Sequence, residues 1–408
     1  MGKQQKEKQM GALEGIRVLD LSRILAGPWC GQILADLGAE VIKVERPKVG
    51  DDTRMWGPPW MKNDQGEETS EGAYFQAANR NKHSITIDIS TEQGQSIVRD
   101  LVKDSDVVIE NYKAGSLKYY GLDYDSLKVI NPGLIYCSIT GFGQDGPRAE
   151  EPGYDYIIQG IGGLMSVTGD KEPMKTSVAF ADLNTGLYSA IAIQAALINR
   201  FRTGEGQHID MALLDVQVAC LANIGMNYIT SGDIPKRYGN AHANVVPYQV
   251  FTANDQDFIV ACGNDKQFVA LCQAIGLPDL SQDVRFTTNA LRLKNRDDIV
   301  NILSQHFLTN TAKHWVEVIQ AVKVPVGVIN NLEQTFAEPQ VQHRKMLVEV
   351  KHPLKQKLKV IASPIKFSRT PIEYRKAPPM LGEDTNAILS RYLDTTEIEQ
   401  LRASGIVG

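Results

Sequence analysis

Residues 16–45, IRVLDLSRILAGPWCGQILADLGAEVIKVE, predict one strand–helix–strand unit of a parallel α/β sheet. Residues 16–21 and 40–45 have the apolar character of buried strands. Between them, Pro28 is tolerated in the first turn of a helix that begins at Ala26, and Gly38 ends that helix as a C-cap. Strands that alternate with helices in this way are typical of a sheet covered by helices.

The same alternation continues through the first half of the chain. Further strands are predicted at residues 84–89, 107–112 and 134–139, a helix at 92–103, and a long loop at 47–73. An apolar run at 176–181 predicts one more strand directly before Asp182, and the helix-like run 187–200 follows. Ligands of such sheets bind at the carboxyl ends of the strands, where we therefore expect the functional residues.

The second half predicts a different organisation. Residues 12–225 are expected to form a large Rossmann-like domain with a parallel sheet, and residues 226–335 a smaller α+β domain that contains a hairpin and three helical runs. Residues 336–408 predict two antiparallel strands and a helix that return to the large domain. Residues 1–11, polar and rich in lysine, are expected to be a disordered leader.

Composition excludes several classes of protein. The 408 residues suit two or three domains, and the net charge of -5 argues against a general nucleic-acid binder. Five scattered cysteines without a Cys-x-x-Cys pair predict neither a zinc site nor a disulfide framework, and they fit a reducing cytoplasm. The longest apolar stretch, residues 186–198, is too short to cross a bilayer, so no membrane association is expected.

The sequence does not follow the motif patterns of several other α/β enzyme classes. No Gly-x-Gly-x-x-Gly follows the first strand, which disfavours an NAD enzyme. Neither a Gly-x-x-x-x-Gly-Lys-Ser/Thr phosphate loop nor a Gly-x-Ser-x-Gly nucleophile elbow occurs. The seven histidines form no metal-binding pattern, so no metal site is predicted.

The segment FADLNTG, residues 180–186, contains the leading candidate for a catalytic residue. It places Asp182 between the predicted strand 176–181 and a helix, where the positive helix N-terminus is expected to favour the ionised carboxylate. An ionised and positioned carboxylate can act as a covalent nucleophile. The alternative is an ordinary helix cap, because aspartate is a preferred capping residue.

Other polar residues follow the predicted strands and extend this candidate site. Together they predict a rim that binds polyphosphate and offers an aromatic ring for stacking, and the alternative is a solvated surface. These residues are Arg23, Arg46, Asn111, Tyr112, Tyr154 and Asp155.

Many ordered segments resemble the class III CoA-transferases, a family that includes formyl-CoA transferase and carnitine CoA-transferase. The resemblance covers nearly the whole chain after residue 11. It rests on LEGIRVLD (13–20), AGP (26–28), LGAEVIKVER (37–46), NK (81–82), DVVIENY (106–112), GFG (141–143), ADLNTG (181–186), RTGEGQ (202–207) and APPMLGED (377–384).

The resemblance implies a covalent mechanism. Asp182 would attack the thioester of an acyl-CoA, forming an aspartyl anhydride and then an aspartyl-CoA thioester, before a second carboxylic acid accepts CoA. Coenzyme A is then a substrate, and no prosthetic group is implied. The partners would be an acyl-CoA, a small carboxylic acid and a second copy of the chain, in a homodimer of two interlocked rings.

The resemblance also implies which residues bind CoA, although this chain departs from the family pattern at some of these positions. Arg46, Asn111 and Tyr112 would contact CoA, and Gly153, Tyr154 and Asp155 would line the path of its pantetheine arm. Leu25, followed by Ala26, occupies a position that is glutamine in formyl-CoA transferase. Lys118 lies beside Tyr119, where that enzyme has a CoA-binding arginine. These departures disfavour formate and oxalate, so dicarboxylates such as succinate or glutarate are expected.

Three alternatives stay open at this stage. An α-methylacyl-CoA racemase of the same superfamily would need a histidine where this chain has Tyr154, and a tyrosine is a poor base near neutral pH. A hydrolase or lyase acting on acyl-CoA is the second alternative. A non-catalytic CoA-binding protein is the third, and the intact motif around Asp182 argues against it.

Overall fold

The computed structural model describes residues 10–408, so most of the predicted leader lies outside the described residues. Within this range no helix combines the length and the apolar character needed to cross a bilayer. In chain order, the elements up to residue 219 are β1 (Arg17–Asp20), α1 (Ala26–Asp36), β2 (Glu40–Glu45), β3 (Trp60–Lys62), β4 (Glu68–Gly72), α2 (Ala73–Ala78), β5 (Lys82–Thr86), α3 (Glu92–Lys103), β6 (Val107–Glu110), α4 (Tyr124–Ile130), β7 (Ile135–Thr140), α5 (Asp155–Ile161), α6 (Leu164–Val167), α7 (Phe180–Thr203), β8 (Gln207–Ala212) and α8 (Leu213–Ala219).

A six-stranded parallel sheet dominates this part of the chain, in the order β5-β2-β1-β6-β7-β8. One face packs against α3 and α4 through Leu101 and Leu127. The other face packs against α1 and α7 through Leu34 and Ile193. Strands buried on both faces are apolar almost throughout, which is why the pattern in residues 16–45 predicts them correctly. The predicted parallel α/β sheet is confirmed.

Two expectations about the large domain are wrong. Residues 176–179 form no strand and α7 begins at Phe180, because the amide of Thr176 is bound by a side chain of α5 and Val178 is exposed instead of buried in a sheet. The predicted loop 47–73 contains the antiparallel hairpin β3–β4, whose short, half-exposed strands lack the apolar pattern of a buried strand.

The chain divides into two compact units. The second comprises residues 164–175 and 221–339. The elements that follow α8 are α9 (Ala222–Ser231), β9 (Tyr248–Thr252), β10 (Asp257–Ala261), α10 (Asp265–Ala274), α11 (Asn289–Lys294), α12 (Arg296–Phe307), α13 (Ala312–Ala321), β11 (Val326–Val328) and α14 (Leu332–Ala337). The three strands pair antiparallel in the order β11-β10-β9. The core of this unit contains Phe258, Phe268, Phe307 and Trp315.

One predicted boundary of the large domain, 12–225, needs correction. Residues 164–175, with α6, belong to the second unit although they precede Asp182 in the chain. The guanidinium of Arg237 holds them there by donating hydrogen bonds to the carbonyl oxygens of Ser166, Asp170 and Lys171. Residues 221–225 also belong to the second unit, since the division falls after Cys220.

Residues 340–408 belong to the first unit, together with residues up to 163 and 176–220. The last elements are α15 (Pro339–His343), β12 (Leu347–His352), β13 (Lys355–Ile361), α16 (Thr385–Leu389) and α17 (Thr395–Ala403). A buried ion pair between Arg80 and Asp36 anchors this segment, because Arg80 also donates to the carbonyl oxygen of Ile361 at 2.8 Å. Asp384 accepts the amide hydrogen of Ser84 at 2.9 Å and adds a second anchor beside β5.

Candidate active site

A cavity of about 370 Å³ opens in the first unit at the carboxyl ends of β1, β6 and β7. It is lined by residues 23–26, 111–114, 139–141 and 149–154, with Asp182 and Leu213. Each of the first three ranges ends a strand of the parallel sheet or begins within three residues after it, as the binding rule for such sheets predicts. Asp182 therefore shares a cavity with the turns that follow three neighbouring strands.

The structure brings eight of the eleven predicted site residues into this cavity. They are Arg23, Leu25, Ala26, Asn111, Tyr112, Gly153, Tyr154 and Asp182. Arg46, Lys118 and Asp155 are not among the residues that line it. Lys118 is exposed on a short 3₁₀ turn, Ser116–Tyr120, and its contact with CoA stays a prediction.

Two arginines share one carboxylate at the edge of the cavity. Arg23 pairs with Asp52 at 2.8 Å and Arg46 pairs with the other oxygen of Asp52 at 3.1 Å. Two positive charges against one negative charge leave an excess of positive charge beside Tyr112. Both guanidinium groups are exposed enough for an anionic ligand to reach, since 39% of the Arg23 and 52% of the Arg46 side chain is accessible.

Asp182 occupies the first turn of α7 but does not cap the helix. The N-cap position is Ala179, which has no side chain able to accept a hydrogen bond. The carboxylate of Asp155 takes this role from α5, because its Oδ1 accepts the amide hydrogens of Ala181 at 2.8 Å and of Asp182 at 3.3 Å. The side chain of Asp182 is thereby left to face the cavity, and the capping alternative for Asp182 is wrong.

Asp155 is itself held by Gln159, a residue that sequence reasoning missed. The Nε2 of Gln159 donates to Oδ2 of Asp155 at 2.8 Å, and its Oε1 accepts the amide hydrogen of Thr176 at 2.9 Å. Gln159 is fully buried. The available signal was the spacing of four residues between two polar side chains on one helix, which places them on the same face.

The pKa of Asp182 is raised to about 7, firstly by burial and secondly by the negative charge of Asp155. This outcome contradicts the expectation that the helix N-terminus keeps Asp182 ionised. Burial is the main physical reason, and Asp155 in addition occupies the two amides through which the helix would act. A carboxylate with a high pKa is a stronger base, and hence a stronger nucleophile once it is ionised.

An aromatic pair lies within electrostatic range of the two carboxylates. Burial, together with the charges of Asp182, Asp155 and Asp51, raises the pKa of Tyr74 to about 12. Its ring packs edge-on against Trp56 with the centroids 5.2 Å apart. The phenol therefore keeps its proton near neutral pH. Sequence reasoning missed Trp56 because it interpreted residues 47–73 as a loop, although loops often carry functional side chains, and no pattern around Tyr74 indicated a role.

A second buried carboxylate, Glu110, supports the cavity wall from behind. Its Oε2 accepts the amide hydrogen of Tyr112 at 2.8 Å. Burial is the main cause that raises the pKa of Glu110 to about 7. Hydrogen bonds from Ser138 and the Tyr112 amide favour the charged form and act in the opposite direction. Ser138 is also hydrogen-bonded to Nε2 of His208 at 2.9 Å. Glu110 thus fixes the backbone of a residue that lines the cavity.

Close backbone contacts explain two glycines at the site. A Cβ atom on Gly153 would lie 2.4 Å from the Cα of Gly141, so any side chain would push these two backbone segments apart. A Cβ atom on Gly186 would lie 2.7 Å from the carbonyl oxygen of Ala26. The second contact lets α7 approach the first turn of α1, which fixes Asp182 relative to residues 25 and 26.

Within residues 10–408, no group of three histidine, cysteine or acidic side chains is arranged to hold a metal ion. The described cavity offers the Asp182 carboxylate together with the side chains of Arg23, Asn111 and Tyr112. A basic carboxylate at the end of a sheet, in a cavity that Arg23 also lines, suits covalent chemistry on an anionic substrate.

Comparison with known proteins gives consistent results. The model of CoA-transferase family III matches residues 13–385. The chain is 51% identical over 387 residues to the succinate–glutarate CoA-transferase of Agrobacterium fabrum, with 94% of this chain and 96% of that protein covered. It is 42% identical over 399 residues to the succinyl-CoA:glutarate CoA-transferase of Homo sapiens, with 97% and 90% covered. A crystal structure of a CAIB/BAIF family protein from Brucella suis matches with a TM-score of 0.83 and 50% identity, covering 94% of this chain and 100% of that chain.

The raised pKa of Glu110 makes stability depend on pH. A carboxyl group with a pKa of about 7 when folded and 4.5 when unfolded lowers the free energy of unfolding as the pH rises between these values. Glu110→Gln removes this penalty, which amounts to about 3 kcal/mol. Urea unfolding should therefore show that the variant gains stability over the parent chain between about pH 4 and about pH 8.

Glu399→Gln, at an exposed position of α17, is the matched control and should follow the parent chain at both pH values. The assignment is wrong if Glu110→Gln and the parent chain lose stability in parallel.

Proposed function

The chain belongs to CoA-transferase family III and is a CoA-transferase, and we propose that it transfers CoA from an acyl-CoA to a dicarboxylic acid with Asp182 as the covalent nucleophile. The observation that carries the proposal is a basic carboxylate that faces a cavity at the carboxyl end of the sheet. Succinate and glutarate are the first candidates, because proteins with these acids in their names are 51% and 42% identical to this chain.

The reaction proceeds through two covalent intermediates. The ionised carboxylate of Asp182 attacks the thioester carbonyl, the carbon–sulfur bond breaks, and CoA leaves as a thiolate. The thiolate then attacks the carbonyl of Asp182 in the resulting anhydride, which releases the donor acid and forms an aspartyl-CoA thioester. The acceptor carboxylate reverses these steps. Each step exchanges acyl groups of similar energy, so covalent capture divides one difficult transfer into easier ones.

The charges at the cavity suggest how CoA binds. Arg23 and Arg46, which share Asp52, supply positive charge for its phosphates, with Lys118 nearer the solvent. Asn111 and Tyr112 contact CoA, and Leu25, Ala26, Gly153 and Tyr154 line the way to Asp182. Asp155 serves the nucleophile instead of the pantetheine arm, since its two carboxylate oxygens are bound to α7 and to Gln159. No prosthetic group takes part in this scheme.

The racemase alternative gains no support. Position 154 holds a tyrosine that is 57% exposed, where the racemase pattern requires a histidine base. The free thiols of Cys30, Cys137, Cys220, Cys262 and Cys272 are compatible with the cytoplasmic location that we propose.

A homodimer is part of the same proposal. Helix α7 exposes a row of large apolar side chains, among them Leu187, Ile191, Ile198 and Phe201, and Phe201 is 72% exposed. Their spacing places them on one face of the helix, and an apolar face of this kind is typical of a protein interface. A second copy of the chain is the proposed partner, in the interlocked arrangement that the return of residues 340–408 to the first unit permits.

Asp182→Ala and Asp182→Asn test the nucleophile. Each should lower the rate of CoA exchange by about a thousandfold or more, because no other group can form the anhydride. Calorimetry should still detect CoA binding, since the phosphate contacts are intact. Exchange between succinyl-CoA and glutarate at the parental rate in either variant would contradict the assignment.

Asp155→Asn tests the electrostatic role of Asp155. Asp182 must be ionised to react, so kcat/KM of the parent chain should fall as the pH drops through about 7. The variant keeps an oxygen for the amides of α7 but loses the charge, and its midpoint should move to lower pH. Burial is the larger cause of the raised pKa of Asp182 and remains in the variant, so the midpoint should move only part of the way to the pKa of a free aspartate.

Glu151→Gln is the matched control, because Glu151 lines the same cavity but is paired with Arg148. A damaged fold would lower the plateau value of kcat/KM but would not move the midpoint of its pH dependence. An unchanged midpoint in Asp155→Asn would exclude the proposed role.

Ile191→Asp combined with Phe201→Asp tests the interface. Two charges in an apolar contact are costly to bury, so sedimentation should show a monomer in place of the dimer. Val129→Asp is the control, since Val129 is 78% exposed on α4 and lies outside the α7 row. A dimer of unchanged strength in the double variant would place the interface elsewhere.

A further inference from the structure

Ile24 has a backbone conformation that its residue type disfavours. Its φ angle is +71°, in the left-handed region, where a β-branched side chain clashes with its own backbone. Among the described non-glycine residues with positive φ, it is the one with a β-branched side chain; the others are Lys48, Asn81, Ala222, Lys323 and Lys345. Glycine or asparagine would adopt this conformation at lower cost.

A buried ion pair enforces this conformation from outside the turn. The amide hydrogen of Ile24 is shared by the two carboxylate oxygens of Asp51, at 3.1 and 3.2 Å. Asp51 is buried and pairs with Lys43 at 2.9 Å, and Lys43 also donates to the carbonyl oxygen of Ser22 at 2.8 Å. The residues on β2 and in the loop after it therefore hold the turn after β1 at two points.

The residue before Ile24 is clamped as well. Asn111 accepts the amide hydrogen of Arg23 through Oδ1 at 2.8 Å and donates through Nδ2 to the Arg23 carbonyl oxygen at 2.7 Å. With contacts on both sides, the turn cannot relax by rotating about Ile24. Residues that their surroundings hold in unfavourable conformations cluster at functional sites, which indicates a functional role for the Ile24 side chain.

The position of the side chain supplies that explanation. Ile24 is partly exposed and is one of the residues that line the same cavity as Asp182. The anhydride and thioester proposed for Asp182 are both open to attack by water. Such an attack adds a water oxygen to the carbonyl and releases a free carboxylate and a proton, with CoA lost as the thiol, so that acyl-CoA is hydrolysed.

We infer that Ile24 determines the specificity for transfer over hydrolysis, because its apolar side chain forms part of the wall that excludes water from the acyl group on Asp182. The inference rests on the proposed role of Asp182. A glycine would satisfy the backbone without strain but would leave a gap in the wall. The chain therefore accepts a backbone cost for an apolar group at this point of the cavity.

The test compares hydrolysis with transfer in three variants of Ile24. Release of free thiol from succinyl-CoA, with and without glutarate, measures hydrolysis, and formation of glutaryl-CoA measures transfer. Ile24→Gly should raise the ratio of hydrolysis to transfer about tenfold. Ile24→Asn tolerates the same φ and keeps much of the volume but adds a polar group, and it should also raise the ratio. Ile24→Val should stay within about twofold of the parent chain.

Val102→Ala, a truncation in the core on α3, is the control for lost stability and should leave the ratio unchanged. A ratio within twofold of the parent chain in both Ile24→Gly and Ile24→Asn would overturn the inference. Asp182→Ala, measured in parallel, separates the two proposals. If it still transfers CoA, the proposed function fails. If it is inactive while the Ile24 variants keep the parental ratio, only the role of Ile24 fails.

Discussion

The site depends on the hydrogen bonds between the Asp155 carboxylate and the first amides of α7. A helix N-terminus stabilises one nearby negative charge, and here Asp155 uses it. Asp182 is left half-buried beside a second negative charge, so its pKa rises to about 7. One carboxylate therefore holds the helix while the other stays free to react. If Asp182 capped α7 itself, its carboxylate would be less basic and directed away from the cavity.

A network of buried ion pairs holds the turn that follows β1. Lys82 pairs with Asp20 and Lys43 pairs with Asp51, both at 2.9 Å, and all four side chains are almost inaccessible. Buried charges are unfavourable unless they are paired, so this network adds little stability by itself. Its effect is positional, since it fixes the turn after β1 against β2. The contact of Gly186 with the Ala26 carbonyl then fixes that turn against α7.

The sequence was sufficient for the features that follow from apolar patterns. The strands around residues 16–45, the helix at 92–103 and the residues at the strand ends were predictable because burial and chain direction determine them. The pattern before Asp182 was misleading, since a short apolar run does not distinguish a strand from the start of a helix. The capping role of Asp155 and the proximity of Tyr74 are tertiary contacts. No pattern of residues along the chain encodes which carboxylate binds a helix end.

The proposed mechanism leaves an isotopic trace on the enzyme. During each transfer the acceptor carboxylate attacks the aspartyl-CoA thioester, and one of its oxygens becomes the bridge of the anhydride and then remains on Asp182. Turnover with succinyl-CoA and glutarate labelled with oxygen-18 in both carboxylates, followed by proteolysis and mass spectrometry, measures this directly. The account predicts label in the carboxylate of Asp182 and in no other side chain. A peptide containing Asp182 that stays unlabelled after many turnovers would contradict it.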